Sequence, residues 1–245
     1  MMRAALAVQR VMTSPDYNLE ELHRSMGRAA ERGADLVVFA EAAFTGLAND
    51  DIPEHDAALG TSVDGPLIQA VRTEAKRLGV HVALGLLEED QGRLYDSALL
   101  IDRTGKVVFR YRRVSTGWHG PDADPSFYGE GSDVDCFEAE FGRVAFLICG
   151  DLFDDDLVAR VREQRPDLLL VPFARALVGG GHDQSRWDHE ELPQYEAQVR
   201  KARTTALLVN YLDDDYVGGA MVIGSDGSLK ASIPLRRADI LIAQV

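Results

Sequence analysis

Two cysteines, Cys136 and Cys149, in 245 residues are too few for a disulfide framework, and a chain of this length can bury a core without covalent staples. A reducing, cytoplasmic compartment is expected. Basic residues are also scarce: 26 Lys and Arg stand against 40 Asp and Glu, a formal net charge of −14. That deficit argues against a continuous cationic surface for nucleic acid or anionic lipid and favours a small-molecule substrate or a protein partner. No apolar stretch approaches the roughly 20 residues that span a bilayer. The opening MMRAALAVQRV turns polar at Gln9 and Arg10, so neither a membrane span nor an export signal is expected. Repeats, low-complexity tracts and interdomain linkers are lacking too, and residues 1–245 read as one domain.

What is present is a mixture of buried strands and amphipathic helices. Arg3 to Val11 reads as an opening strand, Asn18 to Arg32 as a helix with Leu19, Leu22, Met26, Ala29 and Ala30 on one face, and Gly33 as its stop. Asp35 to Ala40 is a short buried strand, Gly65 to Leu78 a helix with Pro66 in its first turn, and Val80 to Leu87 another strand. Leu94 to Ile101 and Lys106 to Arg112 flank the turn Asp102-Arg103-Thr104-Gly105, the pattern of a hairpin. A long loop rich in Gly, Pro, Asp and His runs from Ser115 to Asp133. Val134 to Phe141, Arg143 to Cys149 and Leu168 to Pro172 follow as strands, with Leu157 to Gln164 as a helix; Glu190 to Arg203 is the last helix. Ala206 to Leu212, Val217 to Ile223, Ser228 to Ile233 and Asp239 to Val245 are the closing strands. Alternating strands and helices combined with several hairpins disfavour a purely parallel, doubly wound sheet. An α/β fold with helices outside two packed sheets, a four-layer α-β-β-α sandwich, accommodates both patterns.

Cys149 ends the apolar run VAFLIC at a strand-to-loop junction, where nucleophiles are favoured. On position alone it also reads as a small buried hydrophobe. Gly150 leaves the neighbouring backbone N–H groups open to a substrate or an oxyanion. Glu41 ends DLVVFA in the same manner; partial desolvation there would raise its pKa toward that of a general base, while a satisfied structural carboxylate is the alternative. Arg110 and Arg112 share one face of their strand, and Tyr111 and Arg113 point the other way. His119, His182, Asp183 and His189 lack metal-ligand spacing, and neither a metal nor a cofactor is expected. Asp154 to Asp156 and Asp213 to Asp215 read as helix-start charges and a hairpin tip. Trp118, Phe127, Tyr128 and Trp187 are candidates to line a pocket.

These blocks together resemble the carbon-nitrogen hydrolase (nitrilase) superfamily over almost the whole chain. GADLVVFAE with Phe44-Thr45-Gly46 resembles that family's glutamate block, GADLVVFPE with a threonine-glycine pair, and matches it at Glu41. YDSALLIDRTGKVVFRYRR resembles the lysine block, with Asp96 in place of an asparagine and Arg113 in place of the lysine. FGRVAFLICGD resembles the cysteine block FGRVGVAICYD and puts Cys149 at its nucleophile. A second family glutamate falls on Asp124, counted back from Gly131 through Tyr128, with Glu130 a less favoured occupant. The frequent Arg-Phe-Pro-Glu after the cysteine block is replaced by Phe153-Asp154-Asp155-Asp156, and Lys201 stands where a later glutamate would fall.

The resemblance implies a nitrilase-type sandwich and a thiol hydrolase of a small non-peptide amide. Glu41 is then the base, Cys149 the nucleophile, Arg113 the oxyanion-stabilising cation and Asp124 its positioning partner. Gly150 and Phe173 are the other expected supporting residues. A homodimer or a multiple of it is the implied assembly. Two other functions fit the same residues: a catalytically silent ligand- or partner-binding protein, and an acyl transferase using the same cysteine.

Overall fold

The computed structural model describes residues 2–177 and 183–245. Its strands are β1 (Arg3–Val8), β2 (Leu36–Val38), β3 (His81–Asp90), β4 (Arg93–Ile101), β5 (Val107–Arg112), β6 (Tyr128–Gly129), β7 (Cys136–Ala139), β8 (Gly142–Phe146), β9 (Leu168–Phe173), β10 (Thr205–Asn210), β11 (Ala220–Ile223), β12 (Leu229–Ile233) and β13 (Asp239–Gln244). The α-helices are α1 (Pro15–Glu31), α2 (Pro53–Asp56), α3 (Pro66–Leu78), α4 (Asp155–Gln164), α5 (Gln184–Arg186) and α6 (Leu192–Ala202). One sheet runs β13-β1-β2-β3-β4-β5, with β6 added in parallel to β4; the other runs β12-β11-β10-β9-β8-β7.

Side-chain alternation along the strands decides which layer meets which. Ala5, Ala7, Val37, Phe39, Val82, Leu84, Leu99 and Ile101 pack under α1 and α3 with Leu22, Met26, Ile68 and Val71. Ala4, Leu6, Val8, Leu36, Val38, Ala83, Ala98 and Leu100 face the other way, into the core shared with the second sheet. The inner strands β9, β10 and β11 of that second sheet are buried on both sides, and Leu157, Val158, Val161, Tyr195 and Val199 of α4 and α6 close the same core. The result is the four-layer α-β-β-α sandwich.

Local signals set the element ends. Ser14 caps α1 by accepting from the Tyr17 N–H, which starts the helix at Pro15 rather than Asn18. The Asn18 amide is buried, donating to Met12 O and Phe44 O at 2.7 Å each. Asp154 caps α4 through the Asp156 and Leu157 N–H groups, as its charge position implied. The opening strand is shorter than expected, since Val11 leaves the sheet and donates to Leu212 O at 2.9 Å. No helix among the described residues is long and apolar enough to cross a membrane.

Candidate active site

Glu41 leaves the end of β2 over the middle of β3. A Cβ on residue 85 would fall 2.6 Å from Glu41 Cα and 2.9 Å from Ala40 O, so this crossing needs a glycine at Gly85. The next residue, Ala42, is left-handed at φ 45°, and Cys149 is left-handed at φ 46°. Non-glycine residues are held in that region at a cost, and here one follows Glu41 and the other is Cys149.

Glu41 is completely buried, and its Oε1 accepts from Arg113 Nη1 at 3.1 Å. Burial pushes its pKa well above the usual carboxylate range, Cys149 raises it further, and Arg113 opposes the rise. Asp96, on β4 and equally buried, accepts from the same Nη1 at 3.3 Å. Its pKa is likewise raised well above the ordinary value, by burial first and then by Glu41, with Arg113 again opposing. Arg113 is anchored by its own N–H to Asp96 O at 2.8 Å and by Nε to Ser115 Oγ at 2.9 Å. Burial works against its charge, but Glu41 and Asp96 more than offset that and raise its pKa.

Cys149 begins a 3-10 turn, Cys149–Phe153, just beyond β8. Its Sγ lies 3.5 Å from Ala174 O, to which it donates. Asp151 in this turn is fully buried and accepts from four donors: Tyr111 Oη at 2.7 Å, Ser115 N at 2.7 Å, and the N–H groups of Val114 and Ile148 at 3.2 Å each. It therefore ties the cysteine turn to the segment that follows Arg113. The resemblance blocks contain this aspartate two residues after the cysteine, a signal that could have identified it. Gly85 and Asn210 carried no such sequence signal. Asn210 is buried and grips the chain after β9, accepting from Arg175 N and donating to Arg175 O, both at 3.1 Å.

The expected pairing of Asp124 with Arg113 is corrected. Asp124 Oδ1 accepts from Ser126 N at 2.8 Å and Ser126 Oγ at 2.7 Å in a solvent-exposed turn, bonds that lower its pKa. Asp96, one strand away from Arg113, supplies the second carboxylate instead. Glu130 is engaged by His119 at 2.6 Å. Phe173 is buried against Tyr195 and Trp187, with ring centroids 5.3 and 6.5 Å away, and so supports the strand behind Cys149. Trp118 and Tyr128 pack with Ala42, Leu87 and Leu94. Arg110 and Arg112 turn from the site to the buried carboxylate of Glu88, with Nη1 of Arg110 and Nη2 of Arg112 both 2.9 Å from Oε1. Lys201 pairs at the surface with Asp155 at 2.7 Å.

Of the histidines considered for a metal, His182 lies outside the described residues. Asp50, His55 and Asp56 do bring ligand atoms within 4.8 Å of one another. Both Asp56 oxygens are already used, however, by the Asp50 and Asp51 N–H groups, His55 and Tyr128 Oη. A groove of about 360 Å³ opens beside the loop after Glu41, lined by Arg10, Thr45, Gly46, Leu47, Tyr211 and Tyr216 among others.

Residues 3–245 match the family model for carbon-nitrogen hydrolases. Curated relatives include an aliphatic nitrilase of Rhodococcus rhodochrous, 27% identical over 165 residues that cover 61% of this chain and 43% of the relative. A "hydrolase in pqqF 5'region" of Pseudomonas protegens is 31% identical over 162 residues, 65% of this chain and 54% of the relative. A deaminated glutathione amidase of Yersinia enterocolitica is 28% identical over 135 residues, 51% and 46% of the two chains. The chain thus spans about half the length of the curated relatives it matches. Among solved structures, an amidase from Nesterenkonia sp. AN1 superposes with a TM-score of 0.82 at 21% identity, covering 100% of this chain and 93% of that one. That amidase was captured as a mutant with acrylamide added to its active site cysteine.

Proposed function

The chain belongs to the carbon-nitrogen hydrolase family, and on that premise we propose that it hydrolyses the C–N bond of a small non-peptide amide through a thioester on Cys149. The observation that carries this reading is the convergence of Glu41, Arg113 and Cys149 from three separate strand ends, with Glu41 buried and its pKa raised. A carboxylate whose pKa is raised by burial takes up a proton more readily than a solvated one, which suits it to act as the base. Glu41 takes the thiol proton as Sγ forms a bond to the amide carbon, and the carbonyl π electrons move onto oxygen. Arg113 and the Gly150 N–H offer that oxyanion positive charge. Collapse of the intermediate breaks the C–N bond, and the proton held by Glu41 goes to the departing amine. Water, deprotonated by Glu41, then attacks the thioester and releases the acid and the thiol. The nitrilases among the relatives make nitriles a second substrate class for the same nucleophile.

Ammonia release from a panel of small amides and nitriles tests the reading. Turnover lost in both Cys149→Ala and Glu41→Gln supports it. One observation favours a silent binding protein instead: Arg113 Nη2 lies 2.5 Å from where a Cβ of residue 150 would stand, so the guanidinium fills space beside the nucleophile. Appearance of activity only in Arg113→Lys would favour that second reading. A homodimer is proposed for the assembly, and a monomeric mass by light scattering would reject it.

A further inference from the structure

Glu41 and Asp96 place two fully buried carboxyls on one guanidinium nitrogen, at 3.1 and 3.3 Å from Arg113 Nη1. If both were ionised, the cluster would carry a net negative charge on fully buried groups, and a thiolate at Cys149 would add another. Uncompensated buried charge is among the costliest arrangements a protein can hold. Each carboxyl also has one buried oxygen with no donor: Oε2 of Glu41 and Oδ1 of Asp96. The shared Arg113 Nη1 brings the two side chains together.

We propose that Glu41 and Asp96 share a single proton, resting on Asp96, and that Asp96 is a positioning residue which presents Glu41 to Cys149 as a carboxylate. One O–H···O bond between the two carboxyls gives donor and acceptor their missing partners and brings the cluster to neutrality against Arg113. A protonated aspartate has the shape of asparagine and offers an O–H where the amide would offer an N–H. The raised pKa of both groups agrees with this arrangement. Other titratable groups acting on the pair are Cys149 across the site, and Tyr111, Tyr195 and Tyr216, whose phenols burial and nearby negative charge keep protonated. Asp151 faces Tyr111, and its four donors leave it no role in the shared proton. The role given to Glu41 rests on the proposed thiol hydrolysis; the shared proton does not.

Infrared spectroscopy of the whole protein at neutral pH tests the proposal. The expected result is a protonated-carboxyl C=O band in the wild type that vanishes in Asp96→Asn and on titration to alkaline pH. Absence of the band in the wild type, or its survival unchanged in Asp96→Asn, overturns the proposal. The pH profile of Cys149 acylation is a second readout. Wild type should lose roughly tenfold in rate per pH unit once Asp96 ionises, and Asp96→Asn should lack that alkaline limb. The same limb in both proteins would also overturn the role of Asp96. A band without turnover on any amide contradicts the hydrolase reading alone, and turnover without a band contradicts the shared proton alone.

Discussion

Arg113 occupies the space that a side chain at residue 150 would need: a Cβ there would lie 2.5 Å from Nη2 of Arg113 and 3.0 Å from Ser115 Oγ. The cysteine block that this chain resembles has tyrosine at the position of Gly150 and lysine at that of Arg113. A larger cation and a smaller neighbour are thus accommodated together.

Gly150→Ala should therefore displace the guanidinium and slow Cys149 acylation, while the same change in an Arg113→Lys background should cost less. Coupling of about 0.5–3 kcal/mol is typical of residues in contact. A double-mutant cycle on the acylation rate measures it, and additive effects would show that the two positions act independently.

Cys149 sits at φ 46°, a left-handed conformation that costs a residue with a Cβ roughly 1–2 kcal/mol. Cys149→Gly should accordingly be more stable than Cys149→Ala by about 1 kcal/mol, despite the greater entropy of its unfolded chain. Urea midpoints of the two variants decide this. Equal midpoints would mean that the turn relaxes once the thiol is gone.

Asp151 accepts from Tyr111, Val114, Ser115 and Ile148 at once. Its truncation leaves two buried donors, Tyr111 Oη and Ile148 N, without this partner, each worth about 1–3 kcal/mol, and frees the half-buried Val114 and Ser115 N–H groups as well. Asp151→Ala should lower stability by roughly 3 kcal/mol or more, and Asp151→Asn by less, as read from denaturant unfolding.

Stability should also fall as pH rises. Burial raises both Glu41 and Asp96, whereas the same groups in the unfolded chain titrate near 4. Between that value and the folded pKa values the native state holds protons that the unfolded state has released, so unfolding becomes easier with increasing pH. Asp96→Asn removes part of this linkage. Its unfolding midpoint should decline less from mildly acidic to mildly alkaline pH than that of the wild type.

Glu41 and Cys149 stand out as candidates because each follows a short apolar run, and Arg113 because it follows VVFRYR in a recognisable block, while the mixture of hairpins and strand-helix alternation already implied two sheets. The second carboxylate was not. Counting through the loop to Asp124 finds a residue by sequence distance, but Asp124 turns outward to cap its own turn at Ser126. Asp96 reaches Arg113 because β4 and β5 pair with Ser97 opposite Arg112, a register that exists only once the sheet forms. Gly85 is equally silent in sequence, since its need arises from the Glu41 backbone passing over β3. The left-handed turn at Cys149 is closed locally by the reciprocal Ile148–Asp151 bonds and held in place by the bonds of Asp151 to Tyr111, Val114 and Ser115, which exist only in the folded chain.

Intact-protein mass spectrometry after incubation with small amides tests the central claim most directly. The account predicts a mass increase equal to the acyl group of the amide, located at Cys149 by peptide mapping and missing from Cys149→Ala. Protein that stays unmodified while releasing no ammonia from any amide would contradict it.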